Sequence, residues 1–162
     1  MDRLKFIQNW LIEVILKEMK NTTKNRSMSL EEELIHSIGC CRLAQVLAAK
    51  RNLDTEIGGI IGTVHDYGRI ITGEKESHAE KGAEPLLKFL KETGLFSEIE
   101  INTIVEAVAN HSSKEKVQKP YDELIKDVDV LDNYFSGKIR DKEEYKRRLK
   151  NTLEELNLNY WL

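Results

Sequence analysis

The 162-residue sequence contains few of the residues that break helices or cross-link a chain. Its two prolines and nine glycines leave long stretches rich in Leu, Ile, Glu and Lys, which favours α-helix. Its only cysteines, Cys40 and Cys41, are adjacent and too few for a disulfide framework, and this pattern indicates a reducing compartment. At this length the chain fits a single domain, residues 1–162, with a sizeable core.

The chain also lacks long apolar runs and an excess of positive charge. No apolar stretch approaches the roughly 20 residues that span a bilayer, and Glu13 interrupts the only N-terminal segment that could resemble a signal peptide. The formal net charge of −3 gives no reason to expect a nucleic-acid polymer as a partner. We therefore expect a cytoplasmic protein without a membrane partner, in which local cations could still bind a small phosphorylated molecule.

Apolar residues at helical spacing and recurrent capping patterns predict seven helices and no strand. The predicted helices cover residues 3–20, 30–52, 55–66, 78–93, 98–111 and 121–135, and a last one starts near 142. S-x-x-E capping boxes begin at Ser29, Ser77 and Ser97, and Asp54 and Asp141 are further predicted caps. Residues 68–73 and 112–120 are predicted loops.

Two segments allow another interpretation. Residues 55–66 have a strand-like composition, but Gly58 and Gly62 at i, i+4 would let a second helix approach closely, so we predict a helix. The basic residues between positions 138 and 150 alternate with acids. Predicted Glu143–Arg147 and Glu144–Arg148 ion pairs favour a salt-bridged helix face there over a nucleic-acid surface.

The chain has four histidines, each in or at the end of a different predicted helix: His36, His65, His78 and His111. Histidine is the commonest metal ligand, and helical bundles assemble interior metal sites from side chains on facing helices. Asp66 follows His65 directly. Because neighbours on a helix point about 100° apart, both can face one ion only at a helix end, and Gly68 supplies such an end.

The order H…HD…H…H…D, completed by Asp129, resembles the HD-domain metal-dependent phosphohydrolase superfamily over about residues 30–137. The segment V-H-D-Y-G-R at 64–69 is similar to that family's apolar-H-D-I-G-K/R signature. H-A-E-K-G-A at 78–83 resembles an element of its two-metal members. D-V-D-V-L-D at 127–132 looks like its terminal A-D-R-L-H/D element, which aligns Asp129 with the metal. Departures are Tyr67, Val130 in place of a common arginine, and a single rather than doubled His111.

The resemblance implies an all-α, HD-domain-like bundle of about seven helices, with residues 1–28 and 138–162 flanking the core. It also implies one or two divalent transition-metal ions, Fe, Mn, Ni or Zn, with Asp66 as a catalytic bridge between them. The implied ligands are His36, His65, Asp66, His78, His111 and Asp129. Six ligands leave solvent positions open, whereas a closed structural zinc site has four. Cys40 shares a helix face with His36, but without a CxxC pair we interpret it as a small buried thiol.

A phosphate substrate would need cations beside these ligands. Arg69 stands where relatives carry a substrate-facing Lys or Arg, so we predict a catalytic and phosphate-binding role. Lys81 and Lys114 are predicted substrate contacts because they follow His78 and His111 by three residues. The predicted function is hydrolysis of a small phosphomonoester or phosphoanhydride, with a nucleotide as first candidate. Two alternative functions remain open: an HD-fold di-iron oxygenase and a non-catalytic HD metal-binding module. A homo-oligomer also remains open.

Overall fold

The computed structural model describes residues 2–21, 24–138 and 140–159. Over these ranges it contains eight helices and no strand. The helices are α1 (Arg3–Met19), α2 (Leu30–Lys50), α3 (Thr55–Val64), α4 (Tyr67–Thr72), α5 (His78–Thr93), α6 (Glu98–Asn110), α7 (Pro120–Phe135) and α8 (Glu143–Glu155). The all-helical prediction is therefore confirmed, including the segment of strand-like composition. None of the described helices combines the length and hydrophobicity that a membrane span requires.

One helix more than predicted is present in the described residues, because α4 forms where residues 68–73 were predicted to be a loop. That prediction is wrong. The carbonyl of Asp66 accepts hydrogen bonds from the amides of Arg69 and Ile70, at 2.9 and 3.1 Å, and these bonds start the helix. It ends at Gly73, whose φ of 79° is left-handed. The side chain of Ile70 is fully buried. Burial of this apolar residue outweighs the local preference of Gly68 for a loop, and Gly73 ends the helix.

Three of the five predicted caps are confirmed. Ser29 and Ser97 form complete capping boxes, and the carboxylate of Asp54 accepts hydrogen bonds from the first turn of α3. Ser77 precedes α5 as predicted, but its φ of 55° is left-handed and its side chain forms no capping bond. The prediction for Asp141 is wrong as well, because α8 begins two residues later and its carboxylate binds a lysine further along the helix.

Helix α3 lies at the centre of the core, with α1, α2, α6 and α7 packed around it. Its residues from Ile57 to Val64 are all buried. A Cβ on Gly62 would lie 2.5 Å from the carbonyl oxygen of Cys40, and one on Gly58 would lie 3.0 Å from a side chain of α2. The close helix approach predicted from these two glycines is therefore confirmed.

The predicted ion pairs along α8, Glu143–Arg147 and Glu144–Arg148, do not form within the described part of the chain. Arg148 instead turns inward and is buried. Its Nη1 donates to Asp127 Oδ1 on α7 at 2.7 Å. The helix face predicted from i, i+4 spacing is thus replaced by a buried ion pair between two helices.

Arg148 also holds the connection between α6 and α7. Its Nε donates to the carbonyl of Lys114 at 2.8 Å, and its Nη2 donates to the carbonyl of Lys116 at 2.9 Å. The same Nη2 lies 2.9 Å from Glu123 Oε2 at the start of α7. One guanidinium therefore joins α8, α7 and residues 112–119, which have no helix of their own.

Helices α4 and α5 cross at Gly68 and Gly82 with almost no space between their backbones. A Cβ on Gly68 would lie 1.9 Å from the carbonyl oxygen of His78, and one on Gly82 would lie 2.6 Å from the amide nitrogen of Gly68. These are the glycines of the two sequence elements that carry His65-Asp66 and His78. The crossing brings the start of α5 against the turn that contains Asp66.

We predict that Gly68→Ala lowers the free energy of unfolding by about 2 kcal/mol, because the added methyl group overlaps backbone that cannot rotate away. Glycine to alanine inside a helix otherwise stabilises by roughly 0.5–1 kcal/mol. Chemical denaturation of the metal-free protein measures the effect. Gly94→Ala is the control, since its Cβ would meet nothing within 4 Å and only its φ of 64° opposes the change. Unchanged or increased stability in Gly68→Ala would contradict the crossing.

Candidate metal centre

A cavity of about 180 Å³ lies where α2, α4, α5, α6 and α7 meet. Five of the six predicted ligands line it: His36, Asp66, His78, His111 and Asp129. The sixth, His65, is fully buried beside it, with its Nε2 3.2 Å from Nε2 of His36. The fold therefore brings all six predicted ligands together, although they are spread over more than 90 residues of sequence.

The turn between α3 and α4 explains how His65 and Asp66 can face the same place. His65 caps the C-terminus of α3 and Asp66 precedes α4 with φ −96° and ψ 15°. Because the helix is interrupted between them, their side chains converge instead of diverging by 100°. This is the helix end that the sequence predicted from Gly68, although a further helix rather than a loop follows it.

All four histidines are oriented in the same way. Each Nδ1 is hydrogen bonded to an oxygen of the protein, which leaves each Nε2 facing the cavity with a free lone pair when the ring is neutral. The Nδ1 partners are the carbonyls of Gly62 for His65 (2.9 Å), Lys75 for His78 (2.6 Å) and Val108 for His111 (2.7 Å), and Asp132 Oδ2 for His36 (2.6 Å). Such bonds fix both the tautomer and the ring orientation of a metal-ligating histidine.

Four donor atoms converge on one side of Asp66. Nε2 of His36 lies 3.2 Å from Nε2 of His65, 3.4 Å from Asp66 Oδ2 and 3.2 Å from Asp129 Oδ1. Nε2 of His65 lies 3.2 Å from the same oxygen of Asp66. We name His36, His65, Asp66 Oδ2 and Asp129 the first donor group.

The other oxygen of Asp66 faces the remaining two histidines. Asp66 Oδ1 lies 2.9 Å from Nε2 of His78 and 3.3 Å from Nε2 of His111, and these two nitrogens are 3.0 Å apart. We name these three atoms the second donor group. Asp66 is therefore shared between the two groups, one oxygen to each.

These separations fit divalent metal ions. Donor atoms that bind one ion at ~2.1 Å with angles of 90–110° stand about 3.0–3.4 Å apart. The separations given above for the two groups, 2.9–3.4 Å, lie within or next to that range. Imidazole nitrogen with carboxylate oxygen suits Fe, Mn, Zn and similar ions. Each group could hold one ion, and the second group, with three protein donors, would leave more positions open than the first.

The two central acids carry their negative charge although they are buried. Burial raises the pKa of Asp66, but the electrostatic interactions with the surrounding histidines, His65 first among them, hold that pKa well below its usual range. Burial likewise opposes ionisation of Asp129, and the ammonium of Lys114 holds its pKa well below the usual range. Two buried carboxylates thus require compensating positive charge.

The histidines respond differently to this charge. Burial lowers the pKa of His111 to about 4, so its imidazole is neutral above that pH and can act as a ligand. Burial also lowers the pKa of His78, but its hydrogen bond to Asp66 and the charge of that carboxylate raise it above its ordinary value overall. A proton on His78 compensates the negative charge of Asp66, as a metal ion between the two side chains would.

The three predicted substrate contacts lie in different surroundings. Arg69 lines the cavity, is buried, and contacts both Glu33 and Asp66 Oδ2. Lys114 lines the cavity and is 1% exposed, and its Nζ donates to Asp129 Oδ2 at 2.6 Å. Lys81 is not among the residues lining the cavity; its ammonium contacts Glu74 and its side chain is 45% exposed. The structure thus brings two of the three to the candidate centre.

Cys40 lies beside the first donor group, but its geometry is that of a packing residue. Its Sγ is 3.7 Å from both Nδ1 and Nε2 of His36, so it does not lie along the lone pair of Nε2. Burial raises the pKa of the thiol to about 12. The two cysteines are free and buried, as predicted for Cys40.

Sequence reasoning missed Asp132. Of the three acids in the segment 127–132, Asp129 reaches the first donor group, whereas Asp127 pairs with Arg51 and Arg148 on the far side of α7. Asp132 lies almost one helical turn after Asp129 and holds Nδ1 of His36. The spacing of three was visible in the sequence, but only the position of α2 reveals the partner.

Sequence reasoning also missed the residues at the mouth of the cavity. Met28, Lys75, Ser112, Arg140 and Tyr145 line it together with the ligands. Arg140 and Tyr145 lie beyond the last predicted motif, and no pattern in the sequence connects them with the histidines.

A family model described as HD domain matches residues 34–134. This span is more than half of the chain and contains every residue of both donor groups. The chain belongs to the HD-domain family. Membership confirms the resemblance to the HD-type metal-dependent phosphohydrolases and, with the eight helices, the HD-domain-like bundle.

Several curated relatives of this HD-domain protein are bacterial proteins named Ribonuclease Y. Those of Thermus thermophilus and Enterococcus faecalis are 31% identical over 137 and 129 residues, which are 83% and 78% of this chain but 22% and 23% of the relatives. That of Fervidobacterium nodosum is 31% identical over 139 residues, 85% of this chain and 25% of the relative. The chain thus spans about a quarter of their length. No solved structure matches it significantly.

We predict that the purified HD-domain protein carries one or two divalent transition-metal ions per chain. His78→Ala or His111→Ala should lower the metal content by about one ion while the first donor group keeps its own. Elemental analysis measures the content, and thermal unfolding with added Mn, Fe, Ni or Zn measures the stabilisation, about 2.7 kcal/mol at a free concentration of 100 Kd.

Asp129→Asn and Asp127→Asn are a matched pair for this experiment, since both acids are buried on α7. Asp129→Asn should lose metal from the first donor group, and Asp127→Asn should retain it. Protein without metal, and without any gain in stability when metal is added, would contradict the assignment of the centre.

We further predict that Asp132→Asn weakens metal binding by the first donor group by roughly 10–100-fold, the usual effect of removing an outer partner of a ligating histidine. The amide keeps the shape of the side chain but loses the charge that orients His36. Competition against a chelator measures the two affinities separately. The second donor group is the internal control, and an equal loss at both groups would mean that Asp132 acts on the fold instead.

Proposed function

We propose that this protein is a metal-dependent phosphohydrolase that acts on a small phosphomonoester or phosphoanhydride, with two divalent ions in its cavity. The observation that carries the proposal is the shared carboxylate of Asp66, which presents one oxygen to each donor group. A closed structural site would need neither a bridging carboxylate nor a cavity beside its ligands. Membership of the HD-domain family supports the same reaction class.

Ions held in this way would activate water as a nucleophile and withdraw charge from the phosphoryl group. The side chains around them keep the ligands in place. Asp129 accepts a hydrogen bond from Lys114 Nζ on Oδ2 at 2.6 Å and one from Asn133 Nδ2 on Oδ1 at 2.8 Å. The two bonds hold its carboxylate in one orientation. Such preorganisation lowers the reorganisation that the reaction would otherwise require.

Arg69 and Lys114 line the cavity, and both are paired with acids of the centre. Arg69 is held by Glu33 at 3.0 Å and by Asp66. This arrangement supports a role in orienting the bridging carboxylate in addition to the phosphate contact predicted from its sequence position. In the same way, Lys114 orients Asp129 and presents its ammonium to the cavity.

The size of the cavity supports a substrate that enters end-on. A volume of about 180 Å³ is well below the roughly 300–1,000 Å³ of sites that enclose a whole small molecule. A terminal phosphate fits inside, and the remainder of the molecule would lie at the mouth. A nucleotide is our first candidate, and the relatives named Ribonuclease Y add a short oligoribonucleotide to the substrates to be tested.

The oxygenase alternative shares the ligand order but needs iron that changes oxidation state, whereas hydrolysis does not. The non-catalytic alternative needs a bound ion but no turnover. Neither is favoured by a specific contact in the cavity, so we keep them as outcomes of the experiment.

We predict phosphate release from a nucleotide, a phosphomonoester or a phosphoanhydride under anaerobic conditions with Mn²⁺ as the added ion. Asp66→Asn should reduce kcat/KM by roughly 100-fold or more, because it removes the oxygen charge common to both donor groups. A panel of these substrates and a short oligoribonucleotide is assayed for released phosphate and for new chain ends. Activity that appears only with iron and dioxygen would establish the oxygenase, and metal binding without any turnover would establish the binding module.

A further inference from the structure

The cations that line the cavity differ in whether their charge is already neutralised. Four line it: Arg69, Lys75, Lys114 and Arg140. Arg69 is paired with two carboxylates and Lys114 with one. Their charges are therefore largely balanced by Glu33, Asp66 and Asp129, whereas Lys75 and Arg140 are the lining lysine and arginine without such a partner in the described residues.

Lys75 and Arg140 have no carboxylate within ion-pair distance in the described part of the chain. Lys75 lies between Glu74 and Glu76, and Arg140 precedes Asp141, but none of these acids is within ion-pair distance of the neighbouring cation. Glu76 forms no ion pair among the described residues, and the other two acids are bound elsewhere. Glu74 contacts Lys81, and Asp141 Oδ1 binds Lys146 Nζ at 2.5 Å. The two cations at the mouth thus have no paired carboxylate in the described residues, although acids adjacent in sequence could have paired with them.

Tyr145 holds Arg140 at the mouth. Arg140 Nη1 donates to the hydroxyl of Tyr145 at 3.0 Å, and its guanidinium carbon lies 5.2 Å from the centre of the tyrosine ring. A cation over an aromatic face is fixed in position without being neutralised. Nε and Nη2 of Arg140 form no hydrogen bond within the described residues, so they remain able to bind an anion in the bidentate manner typical of arginine.

Lys75 lies on the opposite connection, just before α5. Its carbonyl accepts the hydrogen bond from His78 Nδ1 at 2.6 Å, which ties the lysine backbone to a histidine of the second donor group. Lys75 and Arg140 therefore come from two separate connections, between α4 and α5 and between α7 and α8, and both line the cavity that contains the ligands.

We infer that Lys75 and Arg140 form a second anion subsite at the mouth, which binds a negative group of the substrate other than the phosphate that reacts. The inference rests on the proposed function and narrows its substrate class. The substrate carries two anionic groups, as in a nucleoside diphosphate, a nucleoside bisphosphate or a terminally phosphorylated dinucleotide. A compound with one phosphate would occupy the centre without using the subsite.

Equilibrium binding tests the subsite without requiring turnover. Protein loaded with Mn²⁺ is titrated calorimetrically with two pairs of probes, and its metal content is checked afterwards. Inorganic phosphate is compared with methylenebisphosphonate, whose two anions are adjacent, and adenosine 5′-monophosphate with adenosine 3′,5′-bisphosphate, whose anions are separated. Arg140→Ala, Lys75→Ala and Arg140→Lys are compared with the wild type. Lys88→Ala, an exposed lysine on α5 with 78% side-chain exposure, is the charge-matched control.

We predict that Arg140→Ala and Lys75→Ala each weaken binding of at least one doubly anionic probe by five- to tenfold, and leave its singly anionic partner within twofold. Arg140→Lys should recover part of the loss, and Lys88→Ala should behave as the wild type. Equal effects on both members of each pair, or no effect on any probe, would overturn the subsite. Binding is measured directly and does not depend on turnover. Absence of hydrolysis would therefore refute the proposed function, while the titrations would still show whether the subsite exists.

Discussion

The carboxylate of Asp66 faces two groups of donors at once, and much of the fold is arranged around this requirement. One oxygen is directed to His36 and His65 and the other to His78 and His111. The helix must therefore end at Val64 and restart at Tyr67 so that the carboxylate can reach the centre. The glycine contact between α4 and α5 and the glycine contact between α2 and α3 then set how near the other helices come.

Burying this carboxylate together with Asp129 is costly unless positive charge accompanies them. The protein supplies part of that charge through Arg69 and Lys114, each fixed by hydrogen bonds of its own. The remainder falls to protons on histidine or to metal ions. Ligand orientation does not depend on which of these is present, because every Nδ1 is held by an oxygen of the protein. The rings are therefore directed before any ion binds.

Much of the fold and of the candidate centre could be predicted from the sequence, because both depend on local spacing. Helices follow from apolar periodicity, and the six candidate ligands follow from the order of histidines and acids and from the resemblance of that order to a family. What could not be predicted depends on which way a side chain turns. Lys81 and Lys114 each follow a histidine by three residues, yet one faces solvent and the other the cavity.

Contacts between distant segments were equally invisible in the sequence. Asp132 and His36 are 96 residues apart and meet only because α2 packs on α7. Arg140 reaches the cavity from a connection outside the family signature. Local rules also failed where burial outweighed them, as in α4, where Gly68 suggests a loop while Ile70 is fully buried.

The inward turn of Arg148 has a consequence for where the folding unit ends. The family match stops at residue 134, whereas α8 covers Glu143–Glu155. A chain cut at the end of the match would leave the buried acid Asp127 with Arg51 as its remaining arginine and would release the carbonyls of residues 114 and 116. The segment that carries Lys114 into the cavity would lose its anchor. The smallest piece able to maintain this centre therefore includes the C-terminal helix. Helix α8 stabilises the site although none of the six candidate ligands lies on it.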